Sequence, residues 1–176
     1  MMEHVGEYFG NENFASAGLK AKMLDMSDDK FNLKSTLETF IDEYDYSNNI
    51  RLIENDRGIT ISIMDNILFQ SGKADLSQAS QPILGKMAQL LKTLPNDIRI
   101  EGHTDDIPIS TPEFPSNWHL SIARATNTAY YLMNDLGLKQ ERVSVVGSSE
   151  FQPLAENDSD ESRSLNRRVD IVILNK

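Results

Sequence analysis

Two residues of opposite charge, Asp105 and Arg124, offer the clearest chemistry in this 176-residue chain. Asp105 follows a stretch that predicts a buried strand at Ile98–Glu101, and Arg124 falls in the first turns of a predicted amphipathic helix. A strand end and a helix start can bring a carboxylate and a guanidinium to the same rim of a domain. Such a pair suits a zwitterion, because the carboxylate binds an ammonium and the guanidinium binds a carboxylate through paired hydrogen bonds.

The composition argues against several classes of protein. A net charge of −10 and a pI near 4.7 are unsuited to nucleic acid, whose phosphates require a basic stripe. The chain has no cysteine, which excludes disulfides, thiolate metal sites and a cysteine nucleophile. No apolar run approaches the ~20 residues of a membrane helix, and the first residues lack the regions of a signal peptide. We therefore expect a globular binding module that does not bind nucleic acid.

The N-terminal part of the chain carries helical patterns. A short helix is predicted from Phe14 to Met26, and Ser27 is a suitable cap for a second helix that Asn48-Asn49 would end. The apolar stripe of that second helix consists of Leu33, Leu37, Phe40, Ile41 and Tyr44. We assign residues 1–49 to a linker with an N-terminal helical extension, and residues 50–176 to the binding domain.

From residue 50 onward, strand patterns alternate with helix patterns. The predicted elements are strands Ile50–Glu54 and Ile59–Met64, helix Ser77–Leu94, strand Ile98–Glu101, helix Asn117–Leu136, strand Val143–Val146, a loop region at 148–165 and strand Val169–Leu174. This β-β-α-β-α-β-β order predicts an α/β (α+β) fold, a two-layer sandwich with helices packed on one face of a mixed β-sheet.

Six short motifs occur in register between Ile67 and Leu174. They are Phe69-x-Ser71-Gly72-x-Ala74-x-Leu76, Glu101-Gly102-His103-Thr104-Asp105, Asn117-x-x-Leu120-Ser121-x-x-Arg124-Ala125, Arg142-Val143 leading to Gly147, Pro153, and Asn166-Arg167-Arg168-Val169-Asp170-Ile171. With these motifs the region resembles the OmpA-like peptidoglycan-binding domain, which has a β-α-β-α-β core. Within that family, the insertion Pro108–Trp118 is similar to the B subunits of flagellar motor stators, of the MotB and PomB type.

The resemblance implies a non-catalytic domain that anchors an ion-driven flagellar stator to the cell wall, without a cofactor or a metal. It implies that Asp105 binds the side-chain ammonium of diaminopimelic acid in the wall's stem peptide, and that Arg124 binds its carboxylate. Thr104, Asn117 and Leu120 are then expected to line the pocket. Arg168 is a secondary candidate near the pocket mouth.

The same resemblance implies partners and a location. The partners would be peptidoglycan, a second copy of the chain in a homodimer, and the stator A subunit. The chain would be the periplasmic region of an inner-membrane protein with a single membrane span, and that span is absent from this sequence. The alternative within the family is a general OmpA-like envelope protein or lipoprotein that tethers the outer membrane to peptidoglycan.

The residue types alone also allow purely structural roles for these residues. Asp105 could accept backbone N–H groups of its own loop. Arg124 could cover apolar surface with its stem, and Asn117 could cap the helix that it begins. For Arg168, a structural salt bridge to Glu101 or Asp170 is as well supported as a place in the pocket.

Other readings concern His103 and Trp118. Catalysis by His103 would need a second oriented group, and its neighbours in the sequence form no such pattern. A zinc site made of His103, Asp105 and His119 lacks a recognised ligand spacing. Trp118 is either a stacking platform for a sugar or a wedge between its helix and the sheet. A wall-modifying hydrolase would require a metal or a pair of facing carboxylates.

Overall fold

The computed structural model describes residues 32–176, and the chain divides into two units between Tyr44 and Asp45. In the first unit, helix α1 covers residues 32–43. It buries four of the five apolar positions that the helical spacing predicts, while Tyr44 is 61% exposed. The buried four are Leu33, Leu37, Phe40 and Ile41.

The end of α1 lies earlier than Asn48-Asn49, because Asp45 adopts a left-handed backbone conformation with φ of 56°. The helix predicted at Phe14–Met26 and the cap predicted at Ser27 lie outside the described residues. The assignment of residues 1–49 to a linker and extension, separate from a binding domain at 50–176, stays a prediction.

The second unit is built on a mixed five-stranded sheet with the spatial order β1-β2-β5-β3-β4. Its strands are β1 (Ile50–Asn55), β2 (Gly58–Met64), β3 (Ile98–His103), β4 (Val143–Gly147) and β5 (Arg168–Leu174). The pairs β1–β2, β2–β5 and β5–β3 are antiparallel, whereas β3 and β4 run parallel. The last strand in the sequence therefore occupies the middle of the sheet.

The helices of this unit are α2 (Asp65–Leu68), α3 (Ser80–Thr93), α4 (Asn117–Tyr130) and α5 (Asp160–Asn166). A π-helical turn at Tyr131–Asp135 continues α4, and Gly137 follows it with a positive φ of 74°, a left-handed conformation that often ends a helix. A short 3₁₀ turn at Gln140–Arg142 leads into β4.

One face of the sheet supplies the apolar core. In β2, β5 and β3, alternate residues such as Ile61, Ile171 and Ile100 lie in register and are almost fully buried. Helix α4 packs across β3 and β4 on this side. Its approach is closest at Gly102, where an added Cβ atom would lie 2.0 Å from the carbonyl oxygen of Ser121. The predicted α/β fold with a mixed sheet is therefore confirmed.

The sequence predicts a loop throughout 148–165. This prediction is wrong for the last part of the region, which forms α5. The side chain of Ser159 accepts a hydrogen bond from the backbone N–H of Ser162, and Asp160 and Glu161 lie in the first turn. A hydroxyl cap and early acidic residues both stabilise a helix start. The seven-residue helix is too short to show an apolar period, so only its cap could have indicated it.

Candidate ligand-binding cleft

A cleft with a volume of about 560 Å³ opens where β3 ends and α4 begins. Its wall comes from four segments: α2 and the turn after it, the loop after β3, the first two turns of α4, and the residue before β5. The lining residues are Asp65, Asn66, Phe69, Ser71, Gly72, Thr104, Asp105, Ile107, Pro108, Ile109, Asn117, Leu120, Arg124 and Arg167. Five of the six residues predicted from the sequence are among them, and Arg168 is not.

Asp105 reaches the cleft because β3 ends two residues before it in a braced turn. The backbone N–H of Thr104 donates to the carbonyl of Ser149 at 2.9 Å, and the Thr104 hydroxyl donates to the carbonyl of Asp105 at 2.9 Å. Oδ1 of Asp105 accepts the N–H of Ile107 at 3.1 Å. Asp105 thus caps its own loop, as one reading of the sequence held, and it also lines the cleft through the same side chain.

Arg124 is buried, with 3% of its surface exposed, and its guanidinium is fixed from several sides. Nε donates to the carbonyl of Lys73 at 2.8 Å, Nη1 to Oδ2 of Asp65 at 2.9 Å, and Nη2 to the carbonyl of Gln70 at 3.5 Å. The guanidinium carbon lies 4.8 Å from the centre of the Phe69 ring, within cation–π range. Arginine has five N–H donors, and these contacts use three of them.

The charge state of Arg124 follows from these surroundings. Burial lowers the pKa of its guanidinium, while the neighbouring carboxylates of Asp65 and Asp105 act in the opposite direction. The guanidinium remains charged at neutral pH, since an arginine pKa begins far above that range. Asp105 and Arg124 line one cleft, and the Asp105 carboxylate acts on the Arg124 guanidinium across it.

Asn117 braces the loop that carries Asp105. Its side-chain oxygen accepts the N–H of Ile109 at 3.1 Å, and its amide nitrogen donates to the carbonyls of Asp105 and Ile107 at 3.3 and 3.1 Å. The residue at the cap position of α4 is Ser116, so the reading of Asn117 as the helix cap is wrong. Leu120, one turn further along α4, is 6% exposed and gives the cleft an apolar side.

Of the two consecutive arginines at the start of β5, Arg167 lines the cleft and Arg168 does not. The Nη1 atom of Arg167 lies 2.7 Å from Oδ2 of Asp105, and its Nε lies 3.7 Å from Oδ1 of Asp65. Arg168 belongs elsewhere, since its Nε lies 3.1 Å from Oδ2 of Asp170. Because the backbone is extended here, consecutive side chains point to opposite sides. The prediction that Arg168 lies near the pocket mouth is therefore wrong, and Arg167 takes that place.

Asp65 is a cleft residue that sequence reasoning missed. It begins α2, and its carboxylate connects Arg124 with Arg167. Asp65, Asp105, Arg124 and Arg167 form a continuous network with two charges of each sign. In the sequence, Asp65 has no spacing relation to the other three, so only the β-hairpin before it could have indicated that it reaches the end of the sheet.

A second ionic network lies away from the cleft, on the sheet face that carries Glu101, His103 and Asp170. Glu101 and Asp170 are directly paired across β3 and β5, and all three residues are at most 3% exposed. Arg57 donates to Glu101 at 2.8 Å, and Arg168 donates to Asp170. His103 Nε2 lies 3.6 Å from Glu101 and 3.4 Å from Asp170.

The pKa values of this second network record its ion pairing. Burial would raise the pKa of Glu101, but the interactions with His103 and Arg57 outweigh it and lower that pKa to about 2. Burial likewise acts to raise the pKa of Asp170, and His103 and Arg168 bring it below its ordinary value. Both carboxylates are therefore ionised at neutral pH, and each is compensated by an arginine.

Metal binding has a candidate in the same three residues, whose ligand atoms lie within 4.8 Å of one another. Their oxygens already accept hydrogen bonds from Arg57 and Arg168, so a divalent cation would enter beside two guanidinium groups. The arrangement favours a structural ionic network. The zinc set of His103, Asp105 and His119 is not brought together either, because Asp105 lines the cleft whereas His103 faces this network, and His119 Nδ1 lies 2.8 Å from the Ser116 hydroxyl.

Comparison with known proteins agrees with this fold. Residues 68–167 match the OmpA family. Motility protein B of Bacillus subtilis is 39% identical over 144 residues, which cover 81% of this chain and 55% of that protein. Two solved structures are also similar. The cell wall anchor of the T6SS from Pseudomonas aeruginosa has a TM-score of 0.71 at 30% identity and covers 78% of this chain and 96% of that one. The periplasmic domain of Helicobacter pylori MotB has a TM-score of 0.68 at 27% identity and covers 73% and 83%, respectively.

The chain belongs to the OmpA family. Its similarity extends to motility protein B in sequence and to MotB periplasmic domains in structure. The chain spans about half the length of the motility protein B that it matches, with 55% coverage. Among residues 32–176, no helix is long and apolar enough to cross a membrane.

Proposed function

We propose that the cleft binds the diaminopimelate of a peptidoglycan stem peptide, and that the chain is the wall-anchoring region of a flagellar motor stator. One observation carries the proposal: Asp105 and Arg124 line the same open cleft with opposite charges. The far end of diaminopimelate is a zwitterion. Its ammonium goes to Asp105, and its carboxylate accepts from N–H groups of Arg124.

The roles of the other cleft residues follow from their contacts. Arg167 bridges Asp105 and Asp65, so it holds both carboxylates in place and presents a partly exposed cation to a negatively charged peptide. Thr104 and Asn117 fix the loop of Asp105, and Leu120 covers the methylene chain of the ligand. Each cleft carboxylate is ion-paired with an arginine, as in a charge-recognition site. The proposed function is therefore non-catalytic.

The stator assignment is supported by the identity to motility protein B and by the insertion before α4. In the intact protein, this region would lie in the periplasm beyond a single inner-membrane span, as part of a homodimer that works with a stator A subunit. A single small zwitterion buries few atoms, so each cleft binds weakly. Two clefts facing a polymeric wall bind much more strongly through multivalency.

Cosedimentation with purified, diaminopimelate-containing peptidoglycan tests the cleft. Asp105→Asn keeps the size of the side chain but removes its charge, and Arg124→Lys keeps the charge but loses the fork. Both are expected to leave the protein in the supernatant, whereas Arg51→Ala, an exposed arginine on the edge strand β1, should sediment like the wild type. Circular dichroism shows whether each variant is folded. Folded Asp105→Asn and Arg124→Lys proteins that sediment normally would exclude the cleft as the wall site.

A separate experiment tests the stator assignment. The chain is fused to the membrane segment of a stator B subunit and expressed in a motile bacterium that lacks its own B subunit. Restored swimming is expected for the wild type and loss of swimming for Asp105→Asn. Wall binding without any restored swimming would instead favour the general OmpA-like envelope protein.

A further inference from the structure

An exposed aromatic pair lies at the start of α4. Trp118 is 47% exposed and Phe151 is 64% exposed, and their rings stack with centroids 5.5 Å apart and planes inclined by 27°. Trp118 therefore does not act as a buried wedge between α4 and the sheet. Large aromatic side chains left in contact with water mark an interaction surface more often than single aliphatic residues do.

The aromatic pair is tied to the cleft through the chain and through a hydrogen bond. Asn117, which lines the cleft, directly precedes Trp118, and Glu150 directly precedes Phe151. The amide nitrogen of Asn117 donates to Oε2 of Glu150 at 3.5 Å. The loop that carries Phe151 is also held by the bond between the Ser149 N–H and the Ser121 hydroxyl at 3.1 Å. The position of the pair is thus fixed relative to Asp105.

The two sites occupy opposite flanks of α4. Residues of an α-helix are separated by about 100°, so Trp118 points roughly 160° away from Leu120, which lines the cleft. The sites are therefore separated by about one helix diameter, on the order of 10 Å. Diaminopimelate is the third residue of a stem peptide, and two extended residues span roughly 7 Å. With the lactyl group that joins the peptide to the glycan, this length matches the distance to a sugar on the aromatic pair.

We propose that Trp118 and Phe151 form a saccharide-binding surface for the amino sugar whose stem peptide occupies the cleft. The inference rests on the proposed function and extends it from the peptide to the glycan. The apolar C–H face of a pyranose ring covers an aromatic ring, while its hydroxyl and acetamido groups stay in water. Neither of the two aromatic side chains carries a charge, which suits a neutral sugar.

Two soluble probes separate the sites: a stem tripeptide ending in diaminopimelate, and the same tripeptide attached to N-acetylglucosaminyl-N-acetylmuramic acid. Titration calorimetry with the full chain measures both dissociation constants. In the wild type, the disaccharide is expected to strengthen binding about tenfold, which is the gain from covering one ring face. Trp118→Ala and Phe151→Ala should abolish this gain without changing the affinity for the free tripeptide. Tyr130→Ala, an exposed aromatic further along α4, should keep the gain.

The fluorescence of Trp118 gives a second readout, because it is the single tryptophan of the sequence. Its emission should change with the disaccharide probe and remain constant with the free tripeptide. A wild type that binds both probes equally, or variants that both retain the gain, would overturn the inference while leaving the cleft intact. Conversion of a dimer to a monomer by Trp118→Ala and Phe151→Ala, with the gain retained, would assign the pair to contact with a second copy. If neither probe binds, the proposed function and the saccharide surface both fail.

Discussion

Nη1 of Arg167 lies 2.7 Å from Oδ2 of Asp105, so the carboxylate proposed to receive the ligand's ammonium is paired with a guanidinium of the protein itself. Asp65 does the same for Arg124, with an Nη1–Oδ2 distance of 2.9 Å. A bound zwitterion adds one charge of each sign to a balanced network. Binding therefore depends on how well the ligand's two charged groups fit the network rather than on its net charge.

Alanine substitutions of the neighbouring residues Arg167 and Arg168 are expected to have different effects. Arg167→Ala should weaken binding of the stem tripeptide about tenfold, because a charge-assisted contact in the cleft is lost. Arg168→Ala should leave the affinity within about twofold but lower the free energy of unfolding by about 3–5 kcal/mol, because Asp170 is left buried without its cation. Calorimetry and urea unfolding measure the two effects. The opposite pattern would move the ligand site to the other face of the sheet.

The ligand itself provides a matched test of the cleft. A stem peptide with lysine in place of diaminopimelate keeps the ammonium for Asp105 but lacks the carboxylate for Arg124. We expect it to bind at least about tenfold more weakly than the diaminopimelate peptide. In Arg124→Ala the two peptides should bind equally weakly, as measured by titration calorimetry. If Arg124→Ala still bound the diaminopimelate peptide more tightly than the lysine peptide, another group of the protein would have to bind the carboxylate.

The second ionic network predicts loss of stability in acid. The pKa of Glu101 is lowered from 4.5 to about 2, so its ionised form stabilises the fold. This contribution is complete above the unfolded-state pKa near 4.5 and disappears as the pH falls towards 2. The shift corresponds to roughly 3 kcal/mol. The acid limb is the fall in the free energy of unfolding between pH 7 and pH 2.5, measured by urea unfolding. Glu101→Gln should therefore make this fall smaller.

The control for this experiment is Glu141→Gln, which removes an exposed carboxylate in the turn before β4. An exposed charge contributes little to stability, so this profile should follow the wild type. Asp170, whose pKa is also lowered, keeps part of the acid limb in Glu101→Gln. An unchanged limb in Glu101→Gln would mean that the network does not stabilise the fold in the expected way.

Two glycines should respond to alanine in opposite directions. At Gly102 an added Cβ atom would lie 2.0 Å from the carbonyl oxygen of Ser121, so Gly102→Ala must push α4 away from β3. We expect it to cost about 1–3 kcal/mol or more and to weaken ligand binding, because α4 carries Arg124. At Gly85, inside α3, nothing lies within 4 Å of the added atom. Gly85→Ala should stabilise the protein by about 0.5–1 kcal/mol, measured by thermal unfolding.

The sequence predicts the scaffold and the central charge pair because both leave regular traces. Strand alternation such as Ile59, Ile61 and Ile63 predicts the sheet, and the strand-to-helix spacing brings Asp105 and Arg124 to one end of it. The arginine after α5 could not be placed in this way. Choosing between Arg167 and Arg168 requires the strand register, and a shift of one residue exchanges the two faces of the sheet.

Other parts of the site depend on tertiary contacts that leave no local pattern. Asp65 joins the cleft because α2 turns directly after β2, and its role depends on Arg124 and Arg167, which lie far along the chain. Asn117 begins a helix, which suggests a cap, yet its side chain binds the loop of Asp105 instead. These roles are set by long-range hydrogen bonds, which periodicity does not record.

The position of β5 bears on how the domain would carry mechanical load. Asp105 follows the end of β3 and Arg167 precedes β5, and these two strands are antiparallel neighbours paired at six positions in the interior of the sheet. A pull on a ligand held by both residues would enter the protein through two adjacent inner strands at once. The force would be shared by the backbone ladders that join them to each other and to the strands on either side, so no single surface loop would have to bear it.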